Sequence, residues 1–318
     1  MHWYDQLVRQ CRATYAIHTF AERINVAPNG AALARWWEAN HGPMEILQPN
    51  RKFDSFIGGA LPRRELLTQI IRVAPEVADS LINPIWYALS DIQTGDSKAF
   101  WNSCADAMII DDAPIGWFSN PRMYDLCAQP NLASLGSFVL LLRGDASKYS
   151  LHRLWIAKCF TCYLCIALLA APARKIASDI YKLVDHLIDG GQFAMSPLRW
   201  PENLEHFSWL LDSYDLLRRQ LCAAIASECG DANILLLLWL VVEDSRLLSQ
   251  LYRQPKTVVI PPSVLQRWKR WCERFAHPST RLLCSECETR LLTPAEKRVW
   301  SRLELRLSQV QPKGDCPS

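Results

Sequence analysis

Cys284-Ser285-Glu286-Cys287, with Cys272 and His277 upstream, is the grouping in this chain best suited to coordination chemistry. Three thiolates and an imidazole make a sufficient tetrahedral set for zinc, because soft sulfur ligands hold Zn²⁺ tightly. Cys272 follows Trp271 on the apolar side of a helical pattern, so packing competes with ligation at that position. Cys159, Cys162 and Cys165 recur every three residues in KCFTCYLC, which would align them on one helix face. Phe160, Tyr163, Leu164 and Ile166 surround them, so these thiols are expected in the core. The densest acid and imidazole grouping is Asp185, His186, Asp189, Glu202, Glu205 and His206, about the Gly190-Gly191 loop. Such groups can hold a divalent cation and activate water, which makes a metal-dependent hydrolase one reading. The chain has no HExxH, paired ExxH or HxH spacing, no GxxxxGK[ST] phosphate loop, no GxGxxG after a strand and no GxSxG elbow. Binding therefore leads catalysis.

The second chemistry is cationic. LQRWKRWCERF puts Leu265, Trp268, Trp271, Cys272 and Phe275 on one side of a helix, with Arg267, Lys269, Arg270 and Arg274 around the other. Aromatic rings between cations can stack bases while the cations hold phosphates. The competing arrangement buries the tryptophans and leaves a solvated basic face. Arg298, Arg302 and Arg306 repeat every four residues and extend the basic surface along one helix face. Residues 245–318 carry 14 basic and 6 acidic side chains, against 12 and 18 in residues 81–244, so a polyanion or an acidic partner would be met by the C-terminal quarter.

Helices must position all of these groups. Thirteen Trp beside only twelve Gly points to helical packing, because β-rich and loop-rich folds need more glycine for their turns. The pattern divides into an N-terminal unit at 1–80, connecting helices and loop at 81–131, a bundle core at 132–254 and a basic helical region at 255–318. Within the bundle, helices are expected over Ala133–Arg143, Tyr149–Leu169, Ala173–Ile188, Glu202–Glu228 and Asn233–Tyr252. In the last region, Ser263 with Gln266 reads as a capping box, as does Thr293 followed by Pro294 and Glu296. No apolar run reaches the roughly 20 residues of a spanning helix, and no signal peptide is legible. Twelve cysteines without one read as thiols of a reducing cytoplasm.

HTFAERINVAPNGAALARWWEANHG, His18 to Gly42, joins two amphipathic patterns through a Pro-Asn-Gly turn. Ala21 is the small residue that lets the second helix approach, Ile24 and Val26 flank the turn, Leu33 and Trp36 face back, and Arg35 points outward. At Ala21-Glu22-Arg23-Ile24-Asn25-Val26 and Leu33-Ala34-Arg35-Trp36 the chain resembles the repressor-like helix-turn-helix family. FIGGALPRRELLTQII, Phe56 to Ile71, resembles that family's continuation through a glycine turn and a proline. Asn25 stands where the family usually has glycine, and the turn is about two residues longer. The resemblance covers about a quarter of the chain and implies a DNA-binding unit. Asn29 and Arg35 are the only long polar groups at the start of the second helix, so an interaction module derived from such a fold remains the alternative.

The expectation is an all-α cytoplasmic protein with a helix-turn-helix-like N-terminal unit, a multi-helix bundle and a basic helical tail. Its function would be non-catalytic nucleic-acid binding, DNA before RNA, as a bacterial regulator or a subunit of a mobile-element or defence assembly. Phosphate contacts fall to Arg51, Lys52, Arg63, Arg64, Arg267, Lys269, Arg270, Arg274, Arg298 and Arg302, with Arg35 and Asn29 near base edges. Other protein subunits are possible partners, and no membrane is expected. No cofactor is expected beyond the candidate zinc at Cys272, His277, Cys284 and Cys287. A helical scaffold without nucleic acid, and the His186/His206 hydrolase, are the alternatives.

Overall fold

Helix α1 (Trp3–Arg23) carries two apolar stripes that face different neighbours. In the computed structural model, which describes residues 3–42, 49–90, 97–106, 108–110, 113–193, 196, 198–225, 230–253, 259–274 and 281–282, Tyr4, Val8 and Cys11 enter a large core. Ala13, Ala16, Ile17, Phe20 and Ala21 enter a smaller one. The 4-, 8-, 11-spacing of the first stripe and the 13-, 16/17-, 20/21-spacing of the second are both helical, offset around the cylinder. One helix of 21 residues thus belongs to both cores.

The smaller core is closed by α2 (Gly30–His41), α3 (Pro49–Ile57), α4 (Arg64–Val73) and α5 (Glu76–Leu81). Leu33, Ala34 and Trp37 of α2, Phe53 and Phe56 of α3, and Leu66, Leu67, Ile70 and Ile71 of α4 fill it. Then α6 (Pro84–Ala88) and α7 (Ser97–Asp106) lead into a short β1 (Met108–Ile110) and β2 (Ala113–Pro114), followed by α8 (Asn120–Cys127). The body continues with α9 (Leu132–Arg143), α10 (Ser150–Ala167), α11 (Ala171–Arg174), α12 (Ala177–Asp189), α13 (Leu204–Ile225), α14 (Asp231–Glu243), α15 (Ser245–Arg253) and α16 (Pro262–Arg274). A two-residue β3 (Arg281–Leu282) completes an antiparallel ladder of order β2-β1-β3. This ladder aside, the described secondary structure is helical, as the composition implies; its strands are too short to leave a sequence pattern.

Two bundle patterns and the first helix of the basic region differ from the periodicity. The Asn233–Tyr252 pattern is two helices, because Asp244 adopts an extended backbone and its carboxylate accepts from Arg246 N and Leu247 N, capping α15. Ala173–Ile188 likewise divides, with α11 ending at Arg174 before α12 begins. Finally, α16 starts at Pro262, where the Pro261 carbonyl accepts from Val264 N and Leu265 N, so Ser263 lies inside the first turn and not at the cap. Among the described residues no helix is long and apolar enough to cross a membrane.

Candidate functional site

The turn between α1 and α2 is built on Asn25, which lies at φ 54° in the left-handed region. Val26 N donates to Ala21 O at 2.9 Å and Asn25 N to Glu22 O at 3.1 Å, the paired bonds of a Schellman cap. Asparagine can hold this position because its short polar side chain tolerates that conformation. Beneath the turn Ala21 is buried, and Leu33 and Trp37 pack against the same core; Trp36 is half-buried with its ring 5.8 Å edge-on from Phe20. Of the apolar positions expected to lock the two helices together, Ala21 and Leu33 are buried, while Ile24, Val26 and Trp36 are half-buried and Trp37 takes the inward place beside Leu33.

The start of α2 is occupied by protein groups. Asn29 Oδ1 accepts from Ala32 N at 2.8 Å, and Asp54 Oδ1 accepts from Gly30 N at 3.1 Å. A carboxylate satisfies the positive helix end that would otherwise attract a phosphate, and Asn29 spends its carbonyl on capping and not on a base edge. Arg35 is exposed, with Nε on its own Ala31 carbonyl at 3.3 Å. Arg51 and Arg63 are exposed, Lys52 and Arg64 half-buried. Among the described residues, none of these five cations is paired with a carboxylate.

The basic helix α16 docks on the body by its aromatic side. Trp268 is buried and its indole donates to Asn233 O at 2.7 Å. The Arg267 guanidinium lies 4.7 Å from the Tyr124 ring and 4.6 Å from the Trp271 ring, and 3.4 Å from Glu243. Burial pushes the Glu243 carboxyl up, and Arg267 pulls against that. Arg267, expected on phosphate, is thus committed to this clamp, and Trp268 has no face left for a base. Lys269 and Arg270 are exposed. Arg274 is the last residue of α16. Arg298, Arg302 and Arg306 lie outside the described residues.

Of the candidate zinc ligands, Cys272 is half-buried against the large core, while His277, Cys284 and Cys287 lie outside the described residues. Cys165 is buried in α10, and Cys159 and Cys162 are half-buried against the core. Burial raises all three thiols, Cys162 to about 12. The hydrolase residues stand apart in their contacts. His186 packs 4.8 Å from the Tyr4 ring and 5.3 Å from Trp3, Asp185 accepts from Trp200 Nε1 at 2.8 Å, and His206 lies 6.2 Å from Trp209. Among the described residues no three or more of His, Cys, Asp and Glu form a group that could hold a metal.

Two polar clusters escaped sequence reasoning. Arg143, buried at the end of α9, stacks its guanidinium 3.6 Å from the Trp101 ring and donates to Ala88 O and Ser90 O at 2.7 Å each. Nearby, Asp106 accepts from Lys148 Nζ and from Tyr149 OH. Partial burial pushes the Asp106 carboxyl up, but these two donors outweigh it and leave the group below its ordinary range. Arg143 closes an apolar run and reads as a helix-end cation, so its long-range partners have no local signal. His152, one turn into α10, is buried between Phe118 at 5.3 Å and Tyr149 at 5.7 Å, and its Nε2 has no partner among the described residues.

Burial lowers the imidazole pKa of His152, and of His18, where Lys175 adds to the effect. Below pH about 6.5 the unfolded chain takes up protons that the fold resists, so these groups make stability fall as pH drops and leave it flat above. Glu243, raised by burial, acts in the opposite sense, its contribution falling as pH rises above 4.5. The expected result is a lower urea midpoint at acid than at neutral pH, and a smaller drop in His152→Phe. An equal drop in both proteins would remove His152 from the account. Compared with protein families, with curated proteins and with solved structures, the chain matches none.

Proposed function

We propose that this chain is a non-catalytic nucleic-acid-binding protein, with duplex DNA its leading ligand. It serves as a bacterial-type regulator or as a subunit of a protein–nucleic-acid assembly of mobile-element or defence type. The observation that carries the reading is Asn25 at φ 54°, in the place where the repressor-like family has glycine, with Ala21 buried below it. That turn leaves Arg35 exposed on α2. Because Asn29 and Asp54 occupy the start of α2, contact is carried by cations and not by base-reading amides. Arg35, Arg51 and Arg63 are the leading phosphate contacts, with Lys52 and Arg64 beside them and Lys269 and Arg270 on α16. Such an interface favours backbone binding over strong sequence preference.

Fluorescence anisotropy with labelled duplex and single-stranded DNA tests this. Affinity should fall steeply between about 50 and 200 mM salt, and each of Arg35→Ala, Arg51→Ala and Arg63→Ala should reduce the log–log slope by about 0.9. Absence of binding at the lowest salt would sink the reading. The scaffold alternative is favoured by Trp117, 96% exposed, and Trp209, 63% exposed. It predicts indifference to nucleic acid in the same assay.

A further inference from the structure

Helix α13 turns one side to the core and leaves a continuous stripe of the other in water. Phe207, Leu211, Leu217 and Leu221 are buried. Glu205, Trp209, Asp212, Leu216, Arg219 and Ala223 are exposed, Trp209 by 63% and Leu216 by 48%. These six follow one another at alternating steps of four and three residues, the spacing that keeps a stripe on one face of a helix and seats it against another helix. One row of the stripe is apolar, with Trp209, Leu216 and Ala223 one heptad apart. The other row, Glu205, Asp212 and Arg219, is charged and changes sign along the helix from acid to base.

Trp209 and Leu216 lie two turns apart in the same row, and both would leave water on meeting a partner. The charged row says which partner. A second copy of α13 laid antiparallel puts Trp209 of each copy level with Leu216 of the other, about a two-fold axis between Asp212 and Ser213. Glu205 of each copy then comes within one residue of the level of Arg219 of the other, so acid meets base twice, and the helix dipoles oppose. Arg219 touches Asp215 of its own helix at 3.3 Å but stays exposed, with its charge open to a partner. Asp212, which the axis brings near its own copy, is already held by Arg174 of α11. Parallel pairing would set acid on acid and base on base, so the charges select the antiparallel arrangement.

We propose that the Trp209–Leu216 face of α13 is a self-association surface, on which a second copy of this chain docks antiparallel to form a two-fold dimer. One helix from each copy meets over about 33 Å, at the small end of specific interfaces, so the dimer is a reversible one. The inference does not rest on nucleic-acid binding and is measured without any.

Sedimentation of the full chain from about 1 to 500 μM reads it, with a shift from monomer to dimer expected across that range. Trp209→Ser combined with Leu216→Ser should hold the protein monomeric at every concentration. Both side chains are exposed, so helix content and urea midpoint should stay as in the parent. Glu205→Arg and Arg219→Glu should each weaken the dimer about fivefold or more, and the two together should restore it, because the exchanged pairs are again acid against base. A monomer throughout would overturn the proposal, as would a dimer that survives the paired serine changes. Failure of the double exchange to restore association would overturn it too, by removing the antiparallel pairing.

Discussion

Gly136→Ala is expected to destabilise the protein by about 2–3 kcal/mol, although helix propensity alone favours alanine by about 1 kcal/mol. Gly136 lies on the face of α9 that meets α6. A methyl there would stand 2.6 Å from Ile85 N and 2.9 Å from both Ile85 Cα and the Pro84 carbonyl carbon. All three are backbone atoms, so no rotamer change relieves the overlap and α6 must move as a unit. That movement would disturb Ile85, fully buried, and Trp86, whose indole donates to Ser80 O at 2.7 Å. Gly230→Ala, at the N-cap of α14, is the control for space, because a Cβ there meets nothing within 4 Å. Urea denaturation should show a lower midpoint for Gly136→Ala and almost none of that change for Gly230→Ala. Equal midpoints for the two variants would mean that α6 and α9 do not touch as described.

The Arg143→Ala variant should lose about 3–5 kcal/mol, the largest effect expected of a charged residue in this chain. Two terms add. The buried Ala88 carbonyl loses a charged donor, at about 1–3 kcal/mol, while the part-buried Ser90 carbonyl can turn to water at little cost, and the contact with the Trp101 face contributes about 2 kcal/mol when desolvated. Arg143→Met restores most of the volume but neither hydrogen bond, so it should recover only part of the loss. Trp101→Leu combined with Arg143→Met should cost less than the sum of the single changes, because both remove one shared interaction. Additivity of the pair in chemical denaturation would show that the stacked geometry contributes nothing. The same experiment weighs the junction among α6, α7 and α9, since Ala88 closes α6, Trp101 lies in α7 and Arg143 closes α9.

How much of the candidate interface could be read in advance differs residue by residue. Ala21 and Leu33 follow from spacing, because an apolar period of 3.6 states which side of a helix is buried. That residue 25 takes a positive φ does not follow from spacing; only the resemblance, in which a glycine stands there, pointed to it. What else occupies the start of α2 was not legible, since Asp54, which accepts from Gly30 N, is 24 residues from it and on another helix. Arg267 shows the same limit. In sequence it belongs to a basic cluster; in space Tyr124, 143 residues earlier, and Glu243 enclose it.

Composition and periodicity by themselves determined that the chain is helical and which faces of its apolar segments carry apolar side chains, but not where the bundle helices break. These are properties of short segments, set by backbone geometry and by the side chains within a few turns. Only the tertiary structure decided that α1 serves two cores, that Arg143 and Arg267 are held by aromatic rings, and that β1 takes β2 and β3 as neighbours. Each of those depends on groups far apart in the chain meeting at hydrogen-bond or van der Waals distance. A side chain's charge is written in the sequence, but whether it faces water or a ring depends on where the fold puts its neighbours.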